Sequence, residues 1–122
     1  MTDATSIAVA YHKAWTGHDF GRAMTFIADD IVCDAPAGRL EGAEAFRGFM
    51  GPFVQILTAS RLVAAFGDEE SAMVMYETET VPVKDAPGAE YVRVRDGKIA
   101  YMRIVFDRQP FTEARSAAGE SR

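Results

Sequence analysis

The sequence predicts an α+β domain in which one strongly bent, mostly antiparallel sheet wraps around three helices. Apolar residues recur at helical spacing only in the first half of the chain, whereas the second half holds alternating strand patterns joined by short turns. Helices and strands do not alternate, so no βαβ unit exists from which to build a parallel sheet.

Residues 5–16 set Ile7, Tyr11, Ala14 and Trp15 at helical spacing, and Gly17 stops this first helix. Asp19 caps a second, short helix through Ile27, with Phe20, Ala23, Met24 and Ile27 on the helical period. Ala28, Asp29 and Asp30 turn the chain into a short strand at residues 31–34. Pro36, Gly38 and Gly42 then mark a loop before a third helix, residues 43–57, which carries Phe46, Phe49, Met50 and Phe53 along one side. Strands follow at residues 61–66, 72–83, 90–95 and 99–106. Residues 1–111 make the domain, and residues 112–122 read as a mobile tail beyond a docked Phe111.

The last two strands are the most informative. Glu90, Val92 and Val94 share one face and Tyr91, Arg93 and Arg95 the other, which puts a carboxylate among valines. Met102, Ile104 and Phe106 form the matching apolar face of the returning strand, and Asp96-Gly97 suits a two-residue hairpin turn. An inward Glu90 is either a buried acid with a raised pKa or one satisfied by a partner. In the strand before it, Met73, Met75, Glu77 and Glu79 share one face and Val74, Tyr76, Thr78 and Thr80 the other. Periodicity leaves open which face is inside.

Composition narrows the function. A net charge of -5 without a basic run gives no footprint for nucleic acid, and no apolar run reaches membrane-spanning length. Early Asp3 replaces the basic region of a secretory leader, so a soluble cytoplasmic protein is expected. The single cysteine, Cys33, excludes an intrachain disulfide, and with only His12 and His18 beside it no metal spacing exists. Neither metal nor cofactor is expected. His12 lies beside Tyr11 on another helical face and is expected at the surface.

The block YHKAWTGHDFGRAMTFIADDIVCDAPAG, the GRLEGAEAFRGFM helix entry and the DGKIAYMRIVFD hairpin resemble the nuclear transport factor 2-like superfamily, in its SnoaL-like and ketosteroid-isomerase-like branch. The resemblance covers about residues 5–111 and implies a cone-shaped cavity, a small hydrophobic ligand and a homodimer paired through the outer face of the sheet. It implies acid–base chemistry by Glu90, as the protonated acid, with Tyr11 as an oxyanion donor. It turns Met75, Glu77 and Glu79 toward the cavity and adds Asp107 as a further acid. The expected lining is Trp15, Met24, Ile27, Cys33 and Ala35, then Phe46, Phe49, Met50 and Phe53, then Val92, Met102, Ile104 and Phe106. The steroid isomerases carry their general base where this chain has Ala35, so steroid isomerisation is not expected. A non-catalytic pocket protein fits the same residues.

Overall fold

Helix α1 (Ala4–Thr16) starts where the Asp3 side chain accepts the Ser6 amide, and α2 (Phe20–Met24) starts where Asp19 accepts that of Arg22. A computed structural model describes residues 3–81 and 83–120. The remaining elements are β1 (Ile27–Ala35), β2 (Gly38–Glu41), α3 (Ala43–Ile56), β3 (Leu57–Gly67), β4 (Ser71–Thr80), β5 (Ala86–Arg95), β6 (Lys98–Phe106) and α4 (Gln109–Glu120). The strands form one curved sheet in the order β2-β1-β6-β5-β4-β3. All neighbours are antiparallel except β1 and β6, which run parallel with Cys33 opposite Met102.

The expected class is observed, with local corrections, among them the start of the strand expected at residue 61, which moves back to Leu57, where β3 begins. The second helix ends at Met24 rather than Ile27, because the Phe26 carbonyl accepts the Ile99 amide and draws Ile27 into β1. The Ala28-Asp29-Asp30 turn is instead an irregular part of β1, where the register with β6 shifts between Ile27 and Val32. Residues 38–41, read from sequence as loop, pair with β1 as an edge strand too short and too exposed to show an alternation. The expected tail also differs, since α4 continues through Glu120. Asp107 accepts the Gln109 amide at 2.9 Å, and Phe111 packs edge-on against Phe53 and Phe106. Residues 121–122 of that tail, and Pro82 of the expected strand 72–83, lie outside the described residues.

The Asp96-Gly97 hairpin has the expected geometry, with φ of 53° and 77° at its two central residues. Beyond it, a register shift between Arg93 and Val94 lets Ile99 and Met102 both face inward. The core lies between the concave face of the sheet and helices α1 and α3, around the fully buried Tyr11, Trp15, Phe46, Ile31, Ile99 and Met102. The convex face leaves Phe66, Met73, Met75 and Val105 exposed, in adjoining positions of the ladder. No helix among the described residues is long and apolar enough to cross a membrane.

Candidate functional site

Glu90 sits on β5 opposite Val74 and Ile104, and the predicted parity holds: it is 1% exposed on the concave face. Its Oε2 accepts the Tyr76 hydroxyl at 3.0 Å, while among the described residues no group hydrogen-bonds to Oε1. Burial pushes the carboxyl from an ordinary 4.5 up to about 7, against the opposing effect of the Tyr76 bond. The Tyr76 phenol is raised well above its usual value by burial and by the charge of Glu90.

This contact depends on a glycine. Tyr76 pairs with Gly88, two residues before Glu90, so its ring must cross Gly88 to reach the acid. A Cβ at Gly88 would meet Tyr76 Cε2 at 3.0 Å and the hydroxyl at 3.2 Å.

Glu90, Tyr76, Thr78, Gly88 and Ile104 form one side of a narrow pocket of about 40 Å³, closed by Trp15, Phe49, Met50, Phe53, Phe106 and Phe111. Glu90 is the only carboxyl among its lining residues. A wider hollow of about 510 Å³ adjoins it, sharing Phe49, Phe53, Phe106 and Phe111 and adding residues of α4.

Several expected site residues lie elsewhere. The buried face of β4 is Val74, Tyr76, Thr78 and Thr80, the β-branched and aromatic set suited to packing; Met75 and Glu79 are exposed on the convex face, and Glu77 pairs there with Arg61 at 2.6 Å. Asp107 is exposed and serves α4 through the Gln109 amide. Tyr11 is buried against Phe46 without a hydrogen-bond partner; it feels the charge of Glu90 but does not line the pocket, and Tyr76 makes the expected donor contact instead. Ile27, Cys33, Phe46, Val92 and Met102 belong to the solid core, Met24 packs partly buried against it, and burial lifts the Cys33 thiol to about 12. Ala35 borders a shallow hollow with Asp34 and Arg103. Asp34 offers no substitute base, because Arg39 at 2.8 Å and the Tyr101 hydroxyl at 2.7 Å hold its carboxyl down to about 2. Of the remaining named residues, Trp15, Phe49, Met50, Phe53, Ile104 and Phe106 border the narrow hollow beside Glu90.

His12 is the other correction: it is 2% exposed, edge-on to Trp15 and tilted against Tyr76 with ring centroids 5.1 and 4.9 Å away. Both ring nitrogens lack a partner among the described residues, and burial lowers its pKa to about 4. Its spacing from Ala8 and Trp15, four residues after one and three before the other, was the available signal. For Tyr76 the signal was the better strand-forming face of β4. Among the described residues, no group of three or more His, Cys, Asp or Glu could hold a metal ion.

The model of the SnoaL-like domain family matches residues 8–102, most of the chain. The chain belongs to the SnoaL-like family. A crystal structure of a protein from Kribbella flavida DSM 17836 is 56% identical, covering 98% of this SnoaL-like chain and 99% of its own, with a TM-score of 0.94. An NTF2-like protein of unknown function from Cytophaga hutchinsonii ATCC 33406 superposes with a TM-score of 0.74 at 16% identity, over 92% of this chain and 97% of that one. A protein carrying a polyketide cyclase name, from Sinorhizobium meliloti, gives 0.71 at 19% identity over 81% and 93%. The last two likenesses are of the cone fold alone. No curated protein matches the sequence.

Two outcomes follow from this geometry. Gly88→Ala should displace the Tyr76 ring and cost about 1–2 kcal/mol of stability. With its lowering bond weakened, Glu90 should then titrate above the native midpoint in a carboxyl NMR titration; an unshifted midpoint would show that the ring yields without losing the contact. His12 has a depressed folded pKa, so its stability contribution is intact above the unfolded value of 6.5 and is lost as pH falls toward 4. His12→Phe should therefore gain about 2 kcal/mol relative to the native chain between pH 8 and pH 5, read by urea unfolding.

Proposed function

We propose that this SnoaL-like protein binds a small, hydrophobic, oxygen-bearing molecule in the narrow pocket, and that Glu90 meets the ligand oxygen as a protonated acid. The observation that carries this reading is the state of one carboxyl group: one oxygen fixed by Tyr76, the other buried without a partner among the described residues, on a side chain that lines an aromatic pocket. A carboxyl with a pKa near 7 is poised to give a proton at neutral pH and take it back. After transfer, the Tyr76 hydroxyl still donates to the carboxylate that remains, which limits the cost of leaving that charge in an apolar site.

With no second carboxyl among the described residues that line the pocket, the proton leaves and returns at a single group. That suits a cofactor-independent isomerisation, cyclisation or hydrolysis in which one acid does both transfers. The same absence, together with Asp34 locked by Arg39 and Tyr101, favours a second reading: ligand binding without turnover.

Both readings fix the sign of the pH dependence. Because neutral Glu90 is the donor, a ketone such as 2-decanone should bind about tenfold more weakly at pH 8 than at pH 6, as the protonated fraction falls through a pKa near 7. Calorimetric titration of Glu90→Gln, which keeps shape and a donor, should give the same affinity at both pH values. A native affinity that rises with pH would sink the proposal.

The proposal also includes a homodimer paired through the convex sheet face and a cytoplasmic setting. The dimer is supported by the exposed row of Phe66, Met73, Met75 and Val105, and the setting by the acidic charge and lone cysteine. Sedimentation at micromolar concentration should return twice the chain mass; the mass of one chain, or a native mass persisting in Met73→Lys, counts against the pairing.

A further inference from the structure

We infer that the ligand is an amphiphilic acid, its carboxylate held by Arg108 and Arg115 at the wider hollow while its oxygen-bearing end reaches Glu90; this rests on the Glu90 reading of the narrow pocket. The two spaces divide the work by size. About 40 Å³ admits about three water-sized groups, enough for a carbonyl and its neighbours but not for a ligand body. The adjoining 510 Å³ must hold the rest, and the four shared phenylalanines make the two spaces neighbours along one path.

The wider hollow is apolar at Pro52, Ile56 and Ala114, and its only charged lining residues are Arg108 and Arg115. Phe111, Ala114 and Arg115 follow one another at three and four residues along α4, so the ring that borders both spaces and the guanidinium lie on one helical face. Among the described residues neither arginine pairs with a carboxylate. The nearby acids are engaged elsewhere: Glu113 accepts the Gln109 side chain at 3.0 Å, and Asp107 accepts the Gln109 amide. An apolar hollow lined by two guanidinium groups that form no ion pair among the described residues matches a hydrocarbon body that ends in a carboxylate, which the guanidinium fork binds through paired N–H donors.

The test uses the full chain and three probes: 9-oxodecanoic acid, its methyl ester and 2-decanone. Trp15, the only tryptophan, lines the narrow pocket and reports binding by fluorescence. At pH 6 the acid should bind about tenfold tighter than the ester, with the gap shrinking in high salt because the arginines are solvent-accessible. In the double variant Arg108→Gln, Arg115→Gln the acid should fall to the level of the ester while the ester is unchanged. Equal affinities for acid and ester in the native chain, or a gap that persists in the double variant, overturn the carboxylate site. A pH dependence of 2-decanone binding that survives Glu90→Gln overturns the narrow-pocket reading instead, and binding by none of the three overturns both.

Discussion

The site depends on one contact between neighbouring strands, the Tyr76 hydroxyl on Glu90 Oε2 at 3.0 Å. It ties down one oxygen of a fully buried acid that lines the aromatic pocket and, among the described residues, leaves the other without a hydrogen bond. Three sequence features must agree for it to form. The inward parity of β5 brings in Glu90, the parity of β4 brings in Tyr76 rather than Glu77, and the absence of a side chain at Gly88 gives the ring its path. A one-residue slip in either strand would exchange the acid for an arginine-bearing face or the phenol for a surface glutamate.

The buried ionisable groups are compatible with an apolar core because each stays neutral in an overlapping range of pH. Glu90 holds its proton up to about 7, and His12 declines one down to about 4. Their effects on folding have opposite signs. The raised carboxyl takes stability away as pH climbs from its ordinary value toward 7, and the depressed imidazole takes it away as pH falls from 6.5 toward 4. The Trp15, His12 and Tyr76 rings are packed together in this region, so the charge of either group is felt by the same set of side chains.

Much of the fold is legible in the sequence because local patterns specify it. The helical periods of α1 and α3, the alternation of β5 and β6 and the Asp96-Gly97 turn each point to one structure. What the sequence hides depends on partners distant in the chain. Residues 28–30 of β1 look like a turn until Ile99 claims the Phe26 carbonyl, and β2 has no signal apart from the strand it joins. The site is half legible for the same reason. Glu90 and six of the aromatic or aliphatic lining residues follow from parity and helical spacing. Tyr76 does not, because both faces of β4 alternate equally well in period, and the better strand-forming character of its face is a weaker guide than the acids Glu77 and Glu79 on the other. His12 is missed because an imidazole with no hydrogen-bond partner is an unusual choice for the inside of a protein.

The parallel pairing of β1 with β6 bears on how the chain is made. Strands β3 to β6 are sequential neighbours and can zip together by short turns, but β6 is also the sole link from that meander to β1 and β2. During synthesis α1 leaves the ribosome before every strand of the sheet, carrying the apolar face of Ile7, Tyr11 and Trp15, and β3 and β4, the strands against which it packs most, emerge later. Until β3 and β4 emerge the apolar face of α1 has no strand to pack against, and until β6 emerges β1 and β2 stay apart from the meander. The last strand, which also supplies Ile104 and Phe106 to the pocket, is thus the one whose long-range pairing unites the two parts of the sheet.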